Sequence, residues 1–133
     1  MNNRLLPFAA LAAAALIAGC AEERPAAEIV TERAQQRWDA LVEGDWQAAY
    51  AFYAPGYRQT TSAEDFGQDM RTRSVRWTGA EVESAECEET RCEVRTLVTY
   101  EVPSAPAQMS GMGNTRPVDE TWIRVDGRWW YSG

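Results

Sequence analysis

The chain has 133 residues with a net charge of −7 at pH 7, enough for one domain with one modest hydrophobic core. It contains no histidine, and all 13 of its basic residues are arginine, which removes the commonest metal ligand and the usual proton shuttle near neutral pH. The acidic balance disfavours binding to nucleic acid, and we expect neither a metal nor another cofactor.

Residues 1–19 have the pattern of a secretory signal peptide, with Arg4 in a polar start and an apolar run over residues 5–17. The run is too short and too rich in alanine for a good membrane span. The ending Ile-Ala-Gly before Cys20 resembles the bacterial lipobox, whose cysteine is acylated, with palmitate among its lipids, and becomes the first residue of the mature protein. The alternative is an ordinary signal peptide with a chance cysteine.

The lipobox resemblance implies a protein anchored through Cys20 in the bacterial cell envelope. Ala21 stands where aspartate would be linked to inner-membrane retention, so the outer membrane, facing the periplasm, is favoured. Residues 20–27 are interpreted as the lipidated cysteine and a tether. Seven residues beyond Cys20 reach at most about 25 Å, so a single domain over residues 28–133 would lie close to the bilayer.

The first predicted helix begins near Ile29. Its apolar residues recur at helical spacing, and Gly44 is expected to end it. The members of this stripe are Val30, Ala34, Trp38, Leu41 and Val42.

Two further helices are predicted. Asp45 can cap a second helix that runs to about Tyr53 and is stopped by Pro55-Gly56. Ser62 begins a capping-box pattern, which predicts a third, short helix that ends near Thr72.

Two strands are predicted at residues 80–87 and 92–102, on either side of the polar loop 88–91. If Cys87 faces Cys92, Val82 pairs with Leu97, and we expect a bulge near Gly79 or partial burial on both faces. These two cysteines form an even set in an oxidising compartment, and their spacing alone does not make a zinc site, so a disulfide is predicted.

Residues 103–117 are predicted to be a loop, interpreted as a mobile connection rather than as a contact surface built on Met109 and Met112. A closing hairpin is predicted over residues 118–125 and 128–131 around Asp126-Gly127. Its register pairs Trp122 with Tyr131.

The stretch from Trp38 to Tyr50, with its Gly-Asp step between helices, and the closing Trp-x3-Asp-Gly-x-Trp hairpin resemble the nuclear-transport-factor-2-like superfamily. The resemblance covers residues 28–133. It implies an α+β fold in which N-terminal helices pack on a strongly curved antiparallel sheet, forming a cone with an apolar pocket. Members include isomerases, polyketide cyclases and many lipoproteins without known catalysis, so the fold alone does not decide the function.

Aromatic residues from the elements that line the cone in that superfamily are the predicted pocket residues, although each could equally be core. They are Trp38, Tyr53, Tyr57, Tyr100 and Trp122. The favoured function is a non-catalytic envelope lipoprotein that binds a small apolar ligand or an envelope protein.

The alternative is an isomerase- or cyclase-like enzyme that uses the cone pocket. The steroid-isomerase members place a carboxylate base after the second helix, but residues 57–61 contain neither Asp nor Glu, and Asp39 is the one helical carboxylate beside the apolar stripe. No catalytic residue is therefore assigned. A homodimer through the sheet face that carries Val82 and Leu97 is a third hypothesis.

Overall fold

A computed structural model describes residues 23–106, 108–109 and 113–133. The signal segment, Cys20 and Met112 lie outside these residues, and so do the predictions made for them. None of the helices described is long and apolar enough to cross a membrane.

The helix α1, Ala26–Glu43, ends where the sequence predicts. Gly44 has a φ of 74°, a left-handed conformation that glycine adopts without steric cost. Asp45 then caps α2, Trp46–Tyr50, by accepting a hydrogen bond from the backbone N–H of Ala48 at 3.0 Å. The start of α1 at Ala26 lies inside the predicted tether, which is therefore shorter than expected.

Pro55 begins a helix, which corrects the prediction that Pro55-Gly56 would stop one. The second helix ends at Tyr50 because the next segment pairs with the sheet edge. Tyr131 N–H donates to the Phe52 carbonyl at 2.9 Å, and Ala54 N–H donates to the Tyr131 carbonyl at 2.8 Å. Proline suits the first turn of a helix, where its missing N–H has no intrahelical partner, and α3 spans Pro55–Thr60.

The predicted third helix is α4, Ala63–Thr72. Ser62 caps it by accepting a hydrogen bond from the Asp65 N–H at 3.1 Å, as the sequence pattern indicates.

Four antiparallel strands form one sheet in the order β1-β2-β3-β4. They span Arg76–Cys87, Arg91–Glu101, Asn114–Val125 and Arg128–Tyr131. The predicted closing hairpin is confirmed, with Trp122 opposite Tyr131. Asp126 and Gly127 have φ values of 51° and 74°, as a two-residue hairpin turn with positive φ at both central positions requires.

Cys87 faces Cys92 and forms the predicted disulfide. The predicted Val82–Leu97 pair is wrong, because a register shift between Val82 and Ser84 places Val82 opposite Thr96. One inserted residue moves every later side chain of the strand to a new partner. A second shift, between Trp77 and Gly79, is the bulge expected near Gly79.

Strand β3 begins at Asn114, so the last part of the predicted loop 103–117 is strand. Proline is tolerated in sheets where its missing N–H faces an open edge. Pro117 meets this condition because β4 pairs only with residues 122–125 of β3.

The sheet curls into a half-barrel around α1. Side chains that point inward alternate along β2 and are buried, which is the period expected of a strand with one covered face. These residues are Cys92, Val94, Thr96 and Val98. The molecule has the predicted α+β architecture, with helices inside a curved antiparallel sheet.

The two ends of this half-barrel differ. At one end, Glu23 and the start of α1 lie beside the β3–β4 turn, and the Arg124 N–H donates to the Thr90 carbonyl of the β1–β2 turn at 2.9 Å. At the other end, the final turn of α1 lies beside Trp77 and Pro103.

Candidate ligand-binding cavity

A cavity of about 330 Å³ lies between α1, α4 and the concave face of the sheet. Its volume is at the lower end of the range for small-molecule sites. Trp38 and Leu41 contribute from α1, Met70 from α4, and Trp77 and Val98 from the first two strands. Trp38 and Trp77 meet edge to face, with ring centroids 5.7 Å apart.

Strand β3 runs from the mouth of the cavity to its floor. Arg116 is exposed, Val118 is half-buried and Glu120 is 3% exposed. These three side chains line the cavity because alternate residues of a strand share a face. Trp122, the next residue on that face, is fully buried.

Glu120 is a buried carboxylate held by three donors. Arg37 Nη1 donates to Oε1 at 2.7 Å, Trp38 Nε1 donates to Oε2 at 2.6 Å, and Thr96 Oγ1 donates to Oε2 at 3.1 Å. These contacts tie the carboxylate to α1 through Arg37 and Trp38 and to β2 through Thr96. Oε2 accepts two of the three hydrogen bonds and Oε1 accepts one.

The partner of Glu120, Arg37, is 5% exposed and is enclosed by aromatic rings. Its guanidinium carbon lies 3.7 Å from the Tyr131 ring centroid, within cation–π range. Nη2 donates to the Tyr53 hydroxyl at 3.1 Å. Its buried Nε has no hydrogen-bond partner among the described residues.

The phenols beside this ion pair favour their neutral form. Burial raises the pKa of Tyr131, although the nearby Arg37 opposes this shift. Burial also raises the pKa of Tyr57. A phenol with a raised pKa remains protonated at physiological pH and can donate a hydrogen bond.

The structure places three of the five predicted pocket residues in the cavity wall, namely Trp38, Tyr53 and Tyr100. Tyr57 is not a lining residue; it stacks on Tyr53 with ring centroids 4.2 Å apart. Trp122 also does not line the cavity, because it lies below Glu120 in a second buried cluster with Val30, Ala34 and Cys92.

Sequence reasoning missed Arg37 and Glu120. The signals were present, since Arg37 follows Ala34 by three residues on the apolar stripe of α1 and Glu120 precedes Trp122 by two on β3. Asp39, the carboxylate considered as a base, is exposed and accepts a hydrogen bond from Gln35 at 2.9 Å.

Within residues 23–106, 108–109 and 113–133, no group of three or more potential metal ligands comes together. The cavity wall offers aromatic surface, phenols and guanidinium groups for contact with a ligand.

Neither a sequence-family model nor a curated protein matches the chain. Several solved structures, however, are similar to it in fold. A SEC-C motif containing protein from Psychrobacter arcticus is 11% identical with a TM-score of 0.59, and the match covers 80% of this chain and 60% of that one. This chain therefore spans less than two thirds of that protein.

Two further similar structures are named either after this type of fold or after an enzyme that has it. A protein named as an NTF2-like transpeptidase from Campylobacter jejuni is 12% identical over 77% of this chain and 95% of its own, with a TM-score of 0.53. A ketosteroid isomerase-like protein from Erwinia carotovora atroseptica is 14% identical over 79% and 89%, with a TM-score of 0.51. The chain has the nuclear-transport-factor-2-like fold, as the sequence resemblance implies.

Proposed function

We propose that this protein is an envelope lipoprotein, anchored through Cys20, whose cavity binds a small apolar ligand and does not catalyse a reaction. The observation that carries the binding function is the cavity itself, with aromatic and aliphatic walls and a few polar groups at fixed positions. Such a composition is typical of small-molecule sites. The lipobox pattern that ends at Cys20 supports the anchor.

The burial and the hydrogen bonds of Glu120 support binding over catalysis. A general base must reach the proton it removes through a free oxygen or one water molecule. The Glu120 side chain is 1% exposed, and its oxygens accept hydrogen bonds from Arg37, Trp38 and Thr96. These contacts give the carboxylate a structural role, as the counter-ion of a buried arginine.

An isomerase- or cyclase-like enzyme is the second candidate, and one observation favours it. Glu120 is a carboxylate in the wall of an apolar cavity, beside the phenols of Tyr53 and Tyr131. An acid, a base and an apolar site are the elements of enolisation chemistry. A turnover assay on enone or ketosteroid substrates, compared between wild type and Glu120→Gln, separates the two candidates.

The test of ligand binding uses N-phenyl-1-naphthylamine, a neutral fluorescent apolar probe, with purified mature protein. We expect saturable binding that Trp38→Phe weakens several-fold, because the smaller ring removes contact area and the Nε1 donor to Glu120. Val118→Trp should abolish binding by projecting an indole ring into the cavity, since Val118 lines it.

Trp130→Phe is the matched control, because Trp130 is half-buried and lies outside the cavity wall. It should leave probe affinity unchanged. Circular dichroism establishes that each variant is folded. Binding that survives Val118→Trp in a folded protein, or no binding to wild type, would contradict the proposal.

A further inference from the structure

We infer that the ligand of this cavity is a small anionic amphiphile, with its apolar body against the wall that Trp38 and Trp77 form and its acidic group held at the mouth by Arg73 and Arg116. This inference rests on the proposed binding function and adds the charge of the ligand. It follows from the charge around the cavity. The residues that line the cavity carry a net positive charge, whereas the whole chain is negatively charged.

The cavity wall carries three arginines, Arg37, Arg73 and Arg116, and one carboxylate, Glu120, among the described residues. Arg37 and Glu120 neutralise each other in a buried pair at 2.7 Å. The remaining charge of the lining is therefore positive, although the chain as a whole carries −7.

Arg116 is the stronger of the two mouth contacts. It lies on the concave side of β3, directly opposite Val98, and is exposed. Among the described residues it has no carboxylate within 4.0 Å. Its guanidinium can therefore pair with a ligand without giving up an existing ion pair.

Arg73 is the second mouth contact. It follows α4 and lies over the Trp77 ring, with its guanidinium carbon 5.7 Å from the centroid. It pairs with Asp69 at 2.8 Å, but both side chains are exposed, so this pair is weak and can be shared. No acidic residue occurs between Asp69 and Glu81 in the sequence, so Asp69 is the one carboxylate that pairs with Arg73 among the described residues.

The floor and the size of the cavity complete the assignment. The two charges at the floor already neutralise each other, so a further anion finds no net charge there, and the walls above the pair include Trp38, Leu41 and Val98. About 330 Å³ accommodates one small ring system or a short chain, not the body of a two-chain lipid. An apolar body with one acidic group therefore matches the site.

The test compares two probes that share one scaffold. They are 1-anilinonaphthalene-8-sulfonate and N-phenyl-1-naphthylamine, which lacks the sulfonate. We expect wild type to bind the anionic probe about tenfold more tightly, because two exposed charge contacts contribute a factor of about three each. The double variant Arg73→Gln/Arg116→Gln should lose this preference and keep its affinity for the neutral probe.

Arg95→Gln is the control, since Arg95 is an exposed arginine on the opposite face of the sheet, where it pairs with Asp119. It removes one positive charge, where the double variant removes two, and should leave the preference intact. Val118→Trp should abolish the binding of both probes.

The outcomes separate this inference from the function on which it rests. Equal affinity for the two probes, or a preference unchanged in the double variant, overturns the anionic ligand and leaves the apolar cavity in place. If the anionic probe still binds to folded Val118→Trp, the anion binds outside this cavity, and that result also overturns the anionic ligand. If neither probe binds to folded wild type, both the anionic ligand and the proposed binding function are overturned.

Discussion

At the scale of single residues, Arg37 and Glu120 connect the first helix to the sheet through the deepest charged contact of the described residues. Taking two charges out of water costs several kcal/mol, and mutual attraction offsets this cost only where hydrogen bonds are also satisfied. Here Trp38 and Thr96 supply the additional donors. The pair fixes α1 against β3, on the side of the helix that also forms the cavity.

Glu120→Gln should destabilise the fold by about 3 kcal/mol, because it leaves the Arg37 charge buried without a counter-ion. Urea unfolding monitored by circular dichroism measures this loss. Glu101→Gln is the control: it breaks an exposed pair with Arg76 and should cost about 1 kcal/mol or less. A Glu120→Gln variant as stable as Glu101→Gln would show that the pair is not buried in solution.

The same pair shows where residue-level prediction from the sequence ends. Helical spacing places Trp38 and Leu41 on a buried stripe, and the structure buries both. The same spacing also buries Arg37, but a charged residue at an apolar position is interpretable only when its partner is known. That partner lies 83 positions later on another element, and no local pattern connects the two.

At the scale of elements, the helix caps and the closing turn were the parts that the sequence predicted best. Gly44, Asp45, Ser62 and the Asp126-Gly127 turn act through local backbone chemistry, and the structure has each of them in the predicted role. The shift between Val82 and Ser84 was not predictable in this way. It arises where β1 curves around α1, and Gln35 from that helix accepts a hydrogen bond from the Val82 N–H at 3.0 Å.

Removing the disulfide with Cys87→Ala/Cys92→Ala should lower the free energy of unfolding by about 2 kcal/mol, because the closed loop is short and constrains the unfolded chain little. Urea unfolding of a soluble Cys20→Ser form, with and without the two alanines, measures the effect. The unreduced Cys20→Ser form should also contain no titratable thiol. Detection of two thiols would contradict the bond.

At the scale of the whole molecule, we expect cleavage before Cys20 and lipid attachment to its sulfur. Intact mass of protein extracted from membranes tests this, and the modified chain should be heavier than the peptide that begins at Cys20. Cys20→Ser should release the protein from the membrane fraction. An unmodified chain that begins at Met1, or a Cys20→Ser variant with unchanged fractionation, would contradict the anchor.

The start of α1 at Ala26 leaves only residues 21–25 between the proposed anchor and the first helix, a reach of at most about 18 Å. That helix begins at the end of the half-barrel that carries the β1–β2 and β3–β4 turns, whereas Arg116 and Tyr100 line the cavity towards the opposite end. A chain acylated at Cys20 would therefore hold its binding site pointing away from the lipid. For a chain anchored in this way, we expect the ligand to enter from the surrounding aqueous phase rather than by lateral diffusion in the bilayer.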